Sequence, residues 1–157
     1  MMDTILPWTA DGELEVLSFC LGGETFAIPA VLVQEILDLL PETAVPGAVP
    51  LVGHVINFRG RVIPLADLRA AFDMDRAEAT RDSRIVVIEQ PIGDMVELIG
   101  LRADKVNEVA ILSAKACEAP PAIGMRWRRE HIRGLIQHGD DIVVLPDLAA
   151  IFSTVKP

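Results

Sequence analysis

GHVINFRGRVIPLADLRAAF (53–72) decides the fold, because the chain says it again as GLIQHGDDIVVLPDLAAIF (134–152). Each copy reads as a short apolar strand, a polar turn containing glycine, a second apolar strand, and an Asp-Leu pair opening a short helical stretch that ends in phenylalanine. Asp67 matches Asp147, Leu68 matches Leu148, Ala70 matches Ala150 and Phe72 matches Phe152. The segments upstream echo each other more faintly. FAIPAVLVQEIL (26–37) resembles IGLRADKVNEVAIL (99–112), which sets Ile28 beside Leu101, Val33 beside Val106 and Glu35 beside Glu108. Two related β-rich halves predict a scaffold built by duplication, and such a scaffold offers surfaces before it offers a pocket.

The rest of the chain fits that frame. Gly22-Gly23 lies between apolar runs at 16–21 and 25–28 and predicts a hairpin, since glycine accepts the positive φ of a tight turn. PAVLVQEILDLL (29–40) puts Val33, Ile36, Leu37 and Leu40 at helical spacing. With Pro29 suited to a first turn and Pro41 as a stop, it predicts a helix. Residues 41–50 hold three prolines and predict an extended connector. A second hairpin is expected over 54–65, turning at 57–60, and a short helix over 65–72. A third should run from 84–89 to 96–101 around residues 90–94, and a fourth from 134–137 to 142–145 around 138–141. The polar stretch 73–84 marks a seam between the halves, 113–124 reads as another connector, and the basic stretch 125–133 reads as helical. The organisation is an arm (1–13), a body (14–152) and a tail (153–157). Many short strands with regular turns indicate a mainly β fold, either paired barrels or a sandwich.

Composition narrows the function. At 157 residues the chain is one domain or two closely packed lobes. Its 51% hydrophobic content implies a large core, or apolar patches kept for partners. With 23 acidic and 14 basic residues the net charge is −9. That argues against general binding to nucleic acid or anionic lipid, where a basic surface supplies the affinity. The local basic cluster MRWRRE (125–130) has few aromatics nearby on which bases would stack. Cys20 falls within an apolar strand as a small hydrophobe, and a chain with only Cys20 and Cys117 fits a reducing compartment. The start, MMDTILPWTADGELE, is neither basic nor a long apolar run, so no secretory signal is read there. No segment approaches the roughly 20 apolar residues of a membrane span, so the expectation is a cytoplasmic chain without membrane insertion. Trp8 in the arm reads first as a packing residue, with docking on a partner as the alternative.

No catalytic constellation emerges. His131 and His138, with Asp140 and Asp141 nearby, match no standard metal spacing, and a Gly-Asp-Asp turn is polar for its own reasons. There is no Gly-x-Ser-x-Gly elbow and no phosphate-binding loop. Asp73 and Asp75 lie in a polar linker. Ser18 and Cys20 alternate along a strand with no histidine near them in sequence. The reading is a non-enzyme with no metal and no cofactor.

The ordered series VLSFCLGGETFAIP (16–29), VQEIL (33–37), AVPGAVP (44–50), VINFRGRVIPLADLR (55–69) and HIRGLIQHGDDIVVLPDLAAIF (131–152) resembles the CheW family of chemotaxis coupling proteins over about residues 14–152. Its most recognisable stretch is Asn-x-Arg-Gly followed by an apolar-Pro strand and Asp-Leu-Arg. The resemblance implies two SH3-like five-stranded β-barrels packed around a shared apolar core. It implies an adaptor that bridges chemoreceptor cytoplasmic tips to the regulatory domain of the histidine kinase CheA. It also implies a receptor-side surface made by Val33, Glu35, His54, Asn57, Arg59 and Gly60. Physical reading of the same residues is plainer: Arg59 sits in a polar hairpin tip, Glu35 is a solvated residue or a carboxylate that orients Arg59 or meets a partner's arginine, and Val33 is core or groove. His54 stands where family members carry glycine, with Gly53 one position earlier, and adds bulk there. Three other readings stay open: an adaptor of a pilus-motility or other array, a chain that competes with the kinase for the coupling site, and a β-barrel that binds a small ligand between its lobes.

Overall fold

The computed structural model describes residues 9–121 and 127–155. Trp8 and Met125-Arg126 of the basic cluster lie outside those residues. The order of elements is β1 (Glu13–Leu21), β2 (Glu24–Pro29), β3 (Val33–Leu37), β4 (Thr43–Ala44), β5 (His54–Phe58), β6 (Arg61–Ala66), β7 (Arg84–Ile92), β8 (Met95–Ala103), β9 (Lys105–Ser113), β10 (Cys117–Glu118), β11 (Ile132–His138), β12 (Asp141–Pro146) and α1 (Leu148–Ser153). They form two six-stranded sheets, ordered β10-β11-β12-β2-β1-β9 and β3-β7-β8-β6-β5-β4.

The duplication is visible in the pairing. In each sheet an antiparallel hairpin (β1–β2 or β7–β8) is flanked on one side by a parallel strand (β12 or β6). On its other side lies an antiparallel edge strand (β9 or β3). The hairpins have exchanged places. β1 and β2 come from the first half of the chain but sit with β9–β12, and β7 and β8 sit with β3–β6. The chain changes sheet at the one-turn 3-10 helix Ala30–Leu32 and again at Asp104, while residues 73–83 connect β6 to β7 within the second sheet.

The expected helix over 29–40 is instead a strand. Pro29 ends β2, one 3-10 turn follows, and Val33–Leu37 pairs antiparallel with β7. Val33, Ile36 and Leu37 satisfy a helical period, but the run is short enough to serve as a strand, and the open edge of β7 decides between them. Short apolar runs are ambiguous in this way, and tertiary pairing overrides local preference. The basic stretch contributes only the 3-10 turn Arg129–His131 among the described residues. Strand β9 had no separate sequence signal beyond its faint echo of residues 26–37. The third hairpin turns at Gly93-Asp94, with β7 running through Pro91 to Ile92.

Three apolar cores hold the fold. Alternate residues of β1 point to opposite faces, as a strand requires. Leu17, Phe19 and Leu21 join a large core between the sheets with Phe26, Val86, Ile88, Phe72 and Phe152. Leu14 and Val16 face the other way, into a core lined by Ala27, Leu112, Ile136, Val143 and Leu145. Every one of those residues belongs to the first sheet, so that sheet curls around its own interior. The second sheet does the same around Ile56, Phe58, Ile63, Leu65, Ile85 and Val87. At the centre, Phe26 and Phe72 meet with ring centroids 4.9 Å apart, and Trp127 lies edge-on to Phe72 at 5.3 Å.

The repeated Asp-Leu pairs behave alike. Asp67 caps a 3-10 helix, Leu68–Phe72, accepting from the Arg69 amide at 3.1 Å, and Asp147 caps α1, accepting from the Ala150 amide at 3.0 Å. Each satisfies an amide that the helix start leaves without an internal partner. Both Asp amides donate to matching carbonyls, Leu51 and His131, at 2.9 and 2.8 Å.

Candidate functional site

The β5–β6 connection is a two-residue turn in which both central residues have positive φ, Arg59 at 52° and Gly60 at 82°. That is the geometry matching the twist of a tight hairpin. Asn57 sets the turn, its side-chain oxygen accepting from the Gly60 amide at 2.9 Å. The strands on either side bury Ile56, Phe58 and Ile63, so the tip is held rigidly while Arg59 leaves it with 72% of its side chain exposed. Its guanidinium lies 5.0 Å from the centroid of the Phe58 ring and pairs with the Glu35 carboxylate. Glu35 comes from β3, the edge strand of the same sheet.

How Glu35 reaches Arg59 follows from a bulge. Val33 lies opposite Ile88, whose side chain is in the shared core, and Glu35 lies opposite the adjacent Val87, whose side chain is in the second sheet's own core. Gln34 is the extra residue, and its amide donates to Glu89 at 3.0 Å. An extra residue re-aims the side chains on either side of it. Val33 therefore packs against the shared core, while Glu35 turns toward the hairpin tip.

The structure thus brings Glu35, Asn57, Arg59 and Gly60 together and leaves Val33 on the neighbouring stretch of the same edge strand. It sets His54 apart. His54 opens β5 and Arg59 follows its end, about 16 Å away along a strand at ~3.3 Å per residue. His54 faces another group: its Nε2 is 3.9 Å from Glu42 Oε1, the Arg76 Nη2 is 3.7 Å from the same oxygen, and Arg102 pairs with Glu42 Oε2. Glu42 ties the proline-rich connector to β8, β5 and the 73–83 segment. A second pair, the buried Arg69 with the partly exposed Asp104 at 2.5 Å, joins the Asp-Leu-Arg turn to the point where the chain changes sheet, and Asp104 also accepts from the Gly22 amide at 2.9 Å. Sequence reasoning missed Glu42, Arg69, Arg102 and Asp104 as partners. Their separations of 35 and 60 residues leave no local signal.

Among the described residues, no group of three or more His, Cys, Asp or Glu side chains is placed to hold a metal ion, and no helix is long and apolar enough to cross a membrane.

Two interlocked, curled sheets with exposed hairpin tips define a mainly β scaffold. The comparisons give that class a family. The model of the CheW-like domain matches residues 15–156, so the chain belongs to the CheW family of chemotaxis coupling proteins. It is 30% identical over 145 residues to the probable chemotaxis protein CheW of Rhizobium etli, covering 92% of this chain and 91% of that one. It is 30% identical over 142 residues to the chemotaxis protein CheW of Rhizobium meliloti, covering 90% and 89%. Among solved structures, the scaffolding protein TtCheW from Thermoanaerobacter tengcongensis superimposes with a TM-score of 0.77 at 25% identity, covering 88% of this chain and 87% of that one.

Proposed function

We propose that this chain is a non-catalytic cytoplasmic adaptor that holds a chemoreceptor tip and a CheA-type histidine kinase at the same time, and that the β5–β6 tip with β3 is its receptor side. One observation carries the reading: Arg59 occupies a left-handed backbone position at an exposed tip. A side chain there costs roughly 1–2 kcal/mol relative to glycine, so its retention speaks for a use outside the fold. Glu35 and the Phe58 ring hold the guanidinium extended and limit the freedom it would lose on binding. Val33 supplies the apolar neighbour for a helical hairpin laid across the edge strand.

The kinase contact falls on the other sheet, where edge strand β9 exposes Val109 and Ile111 at 59% and 60%. Two modest contacts made together raise the effective concentration of each partner at the other. Arg59→Ala tests the receptor side. A solvent-facing charge costs under about 0.5 kcal/mol of stability. A desolvated interface arginine is worth about 2 kcal/mol or more of affinity. The variant should melt as the parent does, bind a receptor-tip fragment at least severalfold more weakly, and keep the kinase. Full receptor affinity in the variant would move the contact elsewhere.

A further inference from the structure

The two curled sheets enclose interiors of different quality. Matching strand registers place Ser18, Thr25, Ala110 and His138 of the first sheet where the second sheet carries Val87, Leu98, Leu37 and Phe58. In the second sheet those four side chains pack with Ile56, Ile63 and Leu65. In the first, their shorter or polar counterparts leave a cavity of about 380 Å³. Small-molecule sites span roughly 300–1,000 Å³. The floor is apolar, made by Val16, Ala27, Leu112 and Val143. The rim carries the carboxylates of Glu108 and Asp141 beside the His138 ring. Among the described residues neither carboxylate is held by an ion pair or a side-chain hydrogen bond. Ser18 and Cys20, which had no histidine near them in sequence, share this cavity with His138.

We propose that this cavity binds a small amphipathic amine, its apolar body on the Val16–Val143 floor and its ammonium between Glu108 and Asp141. Two rim carboxylates and a net charge of −9 favour a cation and oppose a carboxylate ligand. An apolar floor that closes over water gains when an alkyl group replaces that water. The site is inside one sheet and separate from Arg59, so it goes beyond the adaptor reading and does not depend on it.

The test is amide-resolved NMR titration of the full chain with n-hexylammonium, n-hexanoate and methylammonium as probes. Saturable shifts are expected at Ser18, Thr25, Ala110 and His138 with hexylammonium, and affinity about tenfold or more weaker for the other two. Asp141→Asn, which leaves the floor untouched, should weaken hexylammonium severalfold at unchanged melting temperature. The double variant Thr25→Leu/Ala110→Leu copies the filled interior and should abolish binding while melting no lower than the parent. Absence of saturable shifts, which would mark a cavity holding solvent only, overturns the proposal. So does equal affinity for hexanoate, or an Asp141→Asn variant that binds undiminished. Asp141→Asn decides the matter should the double variant fail to fold.

Discussion

At the tip of β5–β6 the chain puts Arg59 and Gly60 at φ of 52° and 82°; at the matching tip of β11–β12 it puts Gly139 at 64° and follows it with Asp140. The flanking registers are the same, Phe58 opposite Arg61 and His138 opposite Asp141. The fold asks for a left-handed residue at both places, and the second tip shows that glycine meets the demand without strain. The matching edge strands repeat the contrast. Glu108 lies opposite Ser18 as Glu35 lies opposite Val87, but among the described residues only Glu35 has an arginine to hold. Duplication thus supplied one architecture twice, and the copies diverged at the tips and in the interiors behind them. One copy has a filled core under a basic tip; the other has a hollow core under an acidic one.

The largest effect that would sharpen this contrast is in the interiors. Phe58→Ala removes a ring from a filled core and should cost about 3 kcal/mol or more. His138→Ala, at the matching position on an open rim, should cost under about 0.5 kcal/mol. Urea denaturation of both variants measures the difference, and equal costs would mean the interiors do not differ as described. Next in size is the charge pair at the crossover. Arg69 is buried and Asp104 is its ion-pair partner, so Asp104→Ala leaves a buried guanidinium unpaired and should cost about 2 kcal/mol. Replacing Arg69 itself by Met, which strands no buried charge, should cost less by the same assay. Arg59→Gly should then stabilise the chain by up to about 1 kcal/mol, because the tip would match its counterpart. A loss of stability there would show that Arg59 serves the fold.

The smallest effect concerns Cys117 on β10. Burial, with Glu118 adding to it, pushes its thiol up from the usual range. The folded state therefore favours the neutral thiol. That contribution is complete below the unfolded thiol's range and fades as pH rises through the folded one. Native Cys117 should react with a thiol reagent more slowly at pH 8 than in the unfolded chain, and Glu118→Gln should speed it slightly. A native rate equal to the unfolded rate would contradict the burial.

The hairpins were legible because their turns announce themselves: Gly22-Gly23, Arg59-Gly60 and Gly139-Asp140 each sit between apolar runs. The caps Asp67 and Asp147 were legible from the repeat. The strand exchange was not, because nothing local tells β3 to leave β2 and pair with β7. That choice is made by the open edge of β7, fifty residues downstream. For the same reason residues 29–40 read as helix, and nothing local marks Glu42 and Asp104 as ion-pair partners. Glu35 and Arg59 were each named through a resemblance and a turn signal, with their contact one of the readings left open for Glu35. Their contact needed the Gln34 bulge, which a sequence does not announce.

Simultaneous binding is the central claim, and sedimentation velocity of the chain with a receptor-tip fragment and a kinase regulatory domain tests it most directly. The account predicts one boundary containing all three components, which loses only the receptor fragment when Arg59 is replaced by Ala. Displacement of one partner by the other would contradict it.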